Sequence, residues 1–328
     1  MSNYYHGAKA SKQATSVSTP VVADSSIHIV VGTAPVHTVG GKVNEPVYAS
    51  NYAEAVAAMG YSDEWDKYDI CEEIYSSFKL YSNGPIIMVN VLDPKKHLTG
   101  EQTAEKTLAG GITELPYEAV SETVEVKGYD GEDSLTSAYT RGTDYDLFYT
   151  DGVLRLERIE GGAIAADNAR LNIKYNAVDP SKVTKKDIIG GYDTSTNKSS
   201  GFELVDSVYP KYGVIPTLFL APNFSTDSEV AAIMAAKAEN INGLFVGKAI
   251  IDADTTTVKT YSDVPKWKSD NNISQPSQLV TWPKYTLGGK TYHSSVHQAG
   301  VMSKTDATED LGGGSPLSLI HISEPTRH

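Results

Sequence analysis

The sequence predicts an α/β (α+β) layered core with an inserted all-β domain and an extended N-terminal arm. Three observations predict it. Strand-sized apolar runs alternate with helix-period segments from about residue 25 to 93, and again from about 215 to 304, which is the signature of strands and helices stacked in layers. Between these stretches, residues 117–179 change to period two around an Asp-Gly pair, as an antiparallel sheet with one wet face does. Residues 1–22, mostly Ser, Thr, Ala and Lys with a few β-branched residues, keep neither period. The boundaries that follow are 1–22 for the arm, 23–115 and 180–316 for the two parts of the core, and 116–179 for the β domain.

Taken in order, Ile27-His28-Ile29-Val30-Val31 is an apolar run stopped by Gly32 and Pro35 and reads as a buried strand. Asn51 caps a short helix from Tyr52 to Met59 that ends at Gly60. A second helix spans about 67–81, with Cys71, Ile74, Tyr75, Phe78 and Tyr81 on one apolar face. Asn83-Gly84-Pro85 ends it, and Ile86 to Leu92 reads as a strand buried on both faces. In the β domain, Thr123 to Lys127 and Arg170 to Tyr175 alternate, and Tyr145–Tyr149 and Val153–Ile159 flank Thr150-Asp151-Gly152 as a hairpin.

The layered pattern resumes at the strand Ile215–Leu220, closed by Ala221-Pro222. Thr226 and Glu229 then suggest a capping box for a helix to about Asn240, with Val230, Ile233, Met234 and Ile241 inward. Leu244–Ile251 reads as the next buried strand, followed by a hairpin at Gly288-Gly289 and a helix over about 294–304. The stretch Leu317 to Arg327, LSLIHISEPTR, looks like an in-frame translation of a transposase-type sequencing adapter. Residues 317–328 are therefore set aside from fold reasoning, and the natural chain is expected to continue past Ser315 or Pro316.

Composition bounds the function. A chain of 328 residues suffices for two or three domains and a sizeable core. Its net charge of −13 disfavours contact with nucleic acid or anionic lipid. Apolar runs far shorter than the ~20 residues of a membrane helix point away from a spanning segment. One cysteine, Cys71, rules out an intrachain disulfide and suits a reducing cytoplasm. Twenty tyrosines against six phenylalanines lean towards half-buried strands and subunit contacts.

Several residues invite a chemical reading. Asp93, Asp252 and Asp254 follow strand ends, where α/β enzymes often place acids or metal ligands, although Asp also favours such positions because it caps turns. A cytosolic α/β enzyme using them is the alternative function. Gly243 to Lys248 resembles a phosphate loop but is one residue short and lacks the following Ser or Thr. His293 and His297 stand four apart, with Asp306 as a conceivable third metal ligand, yet a Tyr-His pair before a helix start more simply packs and caps. No cofactor is implied, and Cys71 on its apolar stripe reads as core.

The ordered set of short motifs resembles the contractile phage tail sheath family. It comprises Val31-Gly32-Thr33-Ala34-Pro35, Pro85-Ile86-Ile87, Gly142-Thr143-Asp144-Tyr145, Asp151-Gly152, Ala177 to Thr184, Asp187 to Gly191 and Val214-Ile215-Pro216. Leu220 to Ser225, Trp282-Pro283-Lys284, Tyr292-His293 and Ala299-Gly300-Val301-Met302 complete it, covering most of residues 20–306. The resemblance implies a non-enzymatic structural subunit of a virion tail or tail-like particle, assembled in a host bacterial cytoplasm. Copies would stack as rings around a tail tube, meet baseplate and terminator proteins, and contract to drive the tube through a cell envelope. Terminal arms would add strands to neighbouring sheets, which places the inter-subunit residues Tyr4, Tyr5, His6, Val17 and Pro20 in this sequence. It also implies a C-terminal domain and arm that do not appear before the adapter-like tail.

Overall fold

The computed structural model describes residues 26–129, 134–164 and 167–308. The arm residues Tyr4, Tyr5, His6, Val17 and Pro20 and the adapter-like tail lie outside the described residues. What is described is a mixed α/β architecture.

In chain order the strands begin with β1 (Ile27–Gly32), β2 (Val47–Ala49), β3 (Ile86–Asn90), β4 (Leu98–Thr107), β5 (Ile112–Pro116), β6 (Glu125–Tyr129), β7 (Ser134–Ala138), β8 (Tyr145–Thr150) and β9 (Val153–Arg158). They continue with β10 (Arg170–Val178), β11 (Gly191–Asp193), β12 (Lys198–Ser200), β13 (Pro216–Leu220), β14 (Lys248–Asp252), β15 (Gln278–Thr281), β16 (Tyr285–Leu287) and β17 (Lys290–Tyr292). The helices are α1 (Tyr52–Met59), α2 (Asp69–Tyr75), α3 (Lys185–Ile189), α4 (Val208–Tyr212), α5 (Ser228–Glu239), α6 (Val264–Asp270) and α7 (Ser294–Thr308).

A six-stranded sheet in the order β15-β14-β13-β1-β3-β2 forms the centre, all parallel except the short edge strand β2. Alternate residues of β1 face opposite layers. Ile29 and Val31 join Phe219, Ala249 and the α5 residues Val230 and Met234 on one side. Val30 joins Leu218, Ile250, the α2 residues Ile70 and Ile74, and Ala299 and Met302 of α7 on the other. Helix caps follow the sequence where expected: the Asn51 side chain accepts from the Glu54 N–H at 3.0 Å, and Gly60 closes α1 at φ 73°.

The segment 98–178 lies in sequence between β3 and β13 and builds its own sheets, β4-β10-β6-β7 and β5-β9-β8. Its core is Leu115, Val126, Leu147, Leu154, Leu156, Leu171 and Ile173. Strand β4 starts this region earlier than period two announces, because it is a polar edge strand exposed along most of its length. The segment is tied to the layered region through Tyr117, whose hydroxyl donates to the Tyr61 carbonyl at 2.9 Å, and through a Lys67–Glu118 ion pair at 2.7 Å.

Three elements differ from the sequence reading. The second helix becomes α2 followed by a π-helical turn over Ser76–Leu80, where the Tyr81 N–H donates to the Ser76 carbonyl. The turn breaks the helical phase that a single apolar stripe over 67–81 requires, and ahead of it Asp69, Glu72 and Glu73 of α2 are buried. The cap of α5 is Asp227, accepting from Glu229 N–H at 2.9 Å, and capping boxes form instead at Thr184 and Asp187 ahead of α3 and at Thr260 and Asp263. Strand β14 begins only at Lys248; Ile241 to Gly247 is a turn flanked by Gly243 and Gly247, with Leu244 and Val246 in solvent.

Candidate functional site

Where β1 ends, Gly32 leaves room for a carboxylate: a Cβ there would lie 2.2 Å from Asp69 Oδ1. The Thr33 N–H and hydroxyl donate to that same oxygen at 2.6 and 3.1 Å. Burial pushes the Asp69 carboxyl up to about 6, against the pull of the Thr33 hydrogen bonds. The Val31-Gly32-Thr33 motif is thus a seat for the first acid of α2.

The next two acids of α2 each meet a buried histidine. Glu73 lies 2.6 Å from Nδ1 of His28 and accepts from the Ser77 hydroxyl at 2.6 Å. The other nitrogen of His28 faces the Ser303 hydroxyl at 2.8 Å and the Ala299 carbonyl at 3.1 Å, both on α7. Glu72 accepts from the His293 N–H and sits 2.7 Å from His293 Nδ1, at the entrance to α7. Burial raises the Glu72 carboxyl; burial opposes a charged His293, but the hydrogen bond and charge of Glu72 outweigh it and raise that ring. Both directions mean that the folded pair holds its shared proton more tightly than the unfolded chain does.

A fourth carboxylate completes the attachment. Asp252, the last residue of β14, accepts from the Ser295 N–H at 2.9 Å and the Ser295 hydroxyl at 2.5 Å, satisfying the first turn of α7. Together the contacts hold α7 at its start through Asp252 and Glu72, and further along through His28. Gly300 makes the fit possible, since a Cβ there would lie 2.3 Å from the Tyr81 ring. The Tyr81 hydroxyl lies 2.8 Å from His297 Nδ1, and burial lowers the His297 ring.

The strand-end acids do not converge. Asp252 is occupied by α7 as described, while Asp254 caps its own turn through the Thr256 N–H at 2.8 Å. Asp93 accepts from the Lys95 N–H at 2.8 Å. It also follows β3, three strands from β14, a separation of about 14 Å at ordinary strand spacing. His293 and His297 are likewise engaged separately, and among the described residues no group of three His, Cys, Asp or Glu is placed to hold a metal. Lys248, the lysine of the phosphate-loop look-alike, donates to the Pro276 carbonyl. Cys71 is buried and its thiol is pushed up to about 12 by that burial, consistent with a core residue. Among the described residues no helix is long and apolar enough to cross a membrane. The enzyme reading gains no support from this arrangement.

What the geometry of the described residues offers is a set of buried attachments that hold α7. Comparison with known proteins agrees in direction. The chain is similar to the Tail sheath protein of Burkholderia phage BcepMu, 28% identical over 257 residues, which is 78% of this chain and 50% of that protein. The similarity supports the phage tail sheath family. No family model matches the chain. The chain spans about half the length of the curated relative it matches.

The sequence reading named only the apolar face of the second helix and gave its acids no role, so the network that anchors α7 went unseen. One signal was present: a lone histidine, His28, inside an apolar strand needs a buried partner.

Proposed function

We propose that this chain is a structural subunit of a contractile tail sheath. Copies polymerise around a tail tube, and contraction of the polymer drives the tube through a target envelope. The observation that carries the proposal is the similarity to a tail sheath protein across 78% of this chain. The assembly stands in a virion tail or tail-like particle, put together in the host cytoplasm, with baseplate and terminator proteins at its ends. On this reading residues 116–179 form a domain inserted in the layered core of 23–115 and 180–316, and residues 1–22 are an arm that pairs with a neighbour's sheet.

Negative-stain electron microscopy of the purified protein, expressed from the full-length gene of its source, tests it. Cross-striated tubes are the expected result, and single particles that persist at high concentration and with added tube protein would remove the reading. Deleting residues 1–20 is expected to abolish ordered tubes while circular dichroism of the subunit stays unchanged. Normal assembly of the deletion variant would sink the role given to Tyr4, Tyr5, His6, Val17 and Pro20.

A further inference from the structure

Among the apolar residues exposed in the described part of the chain, two groups form distinct surface features. The first is the turn between α5 and β14, where Leu244 is 80% and Val246 68% exposed. It is a firm projection. The Ile241 N–H donates to the Phe245 carbonyl at 2.9 Å, and the Phe245 N–H returns to the Ile241 carbonyl at 3.1 Å. The side-chain amide of Asn242 donates to the Asp206 carbonyl at 2.8 Å, anchoring the base. A rigid apolar tip in water pays little ordering cost on binding, which suits it to act as an anchor.

The second is a groove of about 350 Å³ between α7 and the β16–β17 hairpin, lined by Tyr81, Tyr285, Leu287, His297 and Val301. Tyr285, Leu287 and Val301 are each roughly half exposed, at 46%, 53% and 47%. The volume lies at the lower end of what receives a small apolar ligand, a scale suited to one or two aliphatic side chains.

Charge selects the occupant. The chain carries −13, so two copies repel at long range. Neither the turn Asn242–Val246 nor the groove lining contains an acid, a lysine or an arginine. His297, the one imidazole in the lining, is kept towards its neutral form by burial. The two features are therefore places where like-charged copies can approach without desolvating a carboxylate. They also cannot meet within one copy, because α5 packs on one face of the six-stranded sheet and α7 on the other.

We propose that the 242–246 turn of one copy seats in the α7–hairpin groove of a second copy. Such a contact joins different surfaces of the two molecules, so it is head-to-tail and propagates into a ring or helix. It deepens the tail sheath reading and rests on it. The seat is one anchor within a larger interface, since a stable association buries about 1,200–2,000 Å² in all.

Cysteine crosslinking tests the contact, and the buried Cys71 keeps the background silent. The double variant Leu244→Cys/Val301→Cys, treated with a short bis-maleimide, is expected to give a ladder of covalent multimers. Each single variant alone is expected to give none. A double variant that yields no ladder at concentrations where sedimentation shows self-association overturns the proposal, as does a chain that never self-associates. Crosslinking of Leu244→Cys to itself at the same rate overturns it too, by making the contact symmetric. In a second arm, Leu244→Glu is expected to weaken self-association at least ~10-fold, and added Val301→Lys to restore it; weakening without restoration counts against this pairing. Electron microscopy of the same samples separates the two ideas. A ladder without tubes keeps the contact and removes the sheath reading, whereas tubes without a ladder do the reverse.

Discussion

The two faces of the six-stranded sheet are held by different physics. On the α5 face, Val230, Met234, Ala235 and Ala238 press against Ile29, Phe219 and Ala249, all of them buried. Such packing is non-directional and depends on volume. On the α2–α7 face, apolar contacts through Ile70, Ile74, Ala299 and Met302 are supplemented by Asp69, Glu72, Glu73, His28 and Asp252, buried among them. Buried carboxylates add little net stability compared with apolar groups, but they penalise every arrangement that leaves them unpaired. The α5 face mainly supplies stability, whereas the α2–α7 face specifies where α7 sits.

The largest effect is expected at the Glu72–His293 pair. Glu72→Leu strands a buried histidine, and we expect a loss of about 3–5 kcal/mol in urea denaturation, with faster amide exchange over residues 294–308. The double variant Glu72→Leu/His293→Leu should recover much of that loss, because neither partner is left alone. A double variant as unstable as the sum of the singles would show that the pair has no coupling.

On the other face, Met234→Ala is expected to cost about 2–5 kcal/mol through the cavity it opens, while Met234→Leu costs less than about 1.5. Neither should change exchange in α7 selectively. If Met234→Ala loosened α7 before the rest of the molecule, the division between the faces would be wrong.

Titration sharpens the same contrast at Asp69. Its folded carboxyl is raised by burial from 3.8 to about 6. A raised acid binds its proton more tightly when folded, so its contribution is full below pH 3.8 and is lost as pH climbs through 6. Asp69→Asn keeps the acceptor for Thr33 and cannot ionise. Relative to the parent, it should gain up to about 3 kcal/mol between pH 4 and pH 7. A constant difference across that range would mean the carboxyl titrates normally.

Much of the scaffold was legible. Asn51 and Gly60 bracket α1, Gly288-Gly289 turns β16 into β17, and the apolar runs of β1, β3 and β13 lie where the pattern puts them. These features depend on a few adjacent residues, and local rules suffice. Strands β4 and β15 escaped notice because a polar or half-buried edge strand carries little alternation. The run at 244–246 misled for the opposite reason. Its apolar residues look like core, yet in the folded chain Leu244 and Val246 point to water.

The sequence by itself determined strands β1, β3 and β13, the caps of α1, the change to period two and the order of motifs that resembles a tail sheath, since each is set by neighbours along the chain. Only the tertiary structure decided that three acids of one helix would be buried, because α2 is covered by the sheet on one side and by α7 on another. A helical wheel sees only its own helix. The partners of Glu72 and Glu73 stand 221 and 45 residues away, and a charge can be buried only once folding has brought such partners together.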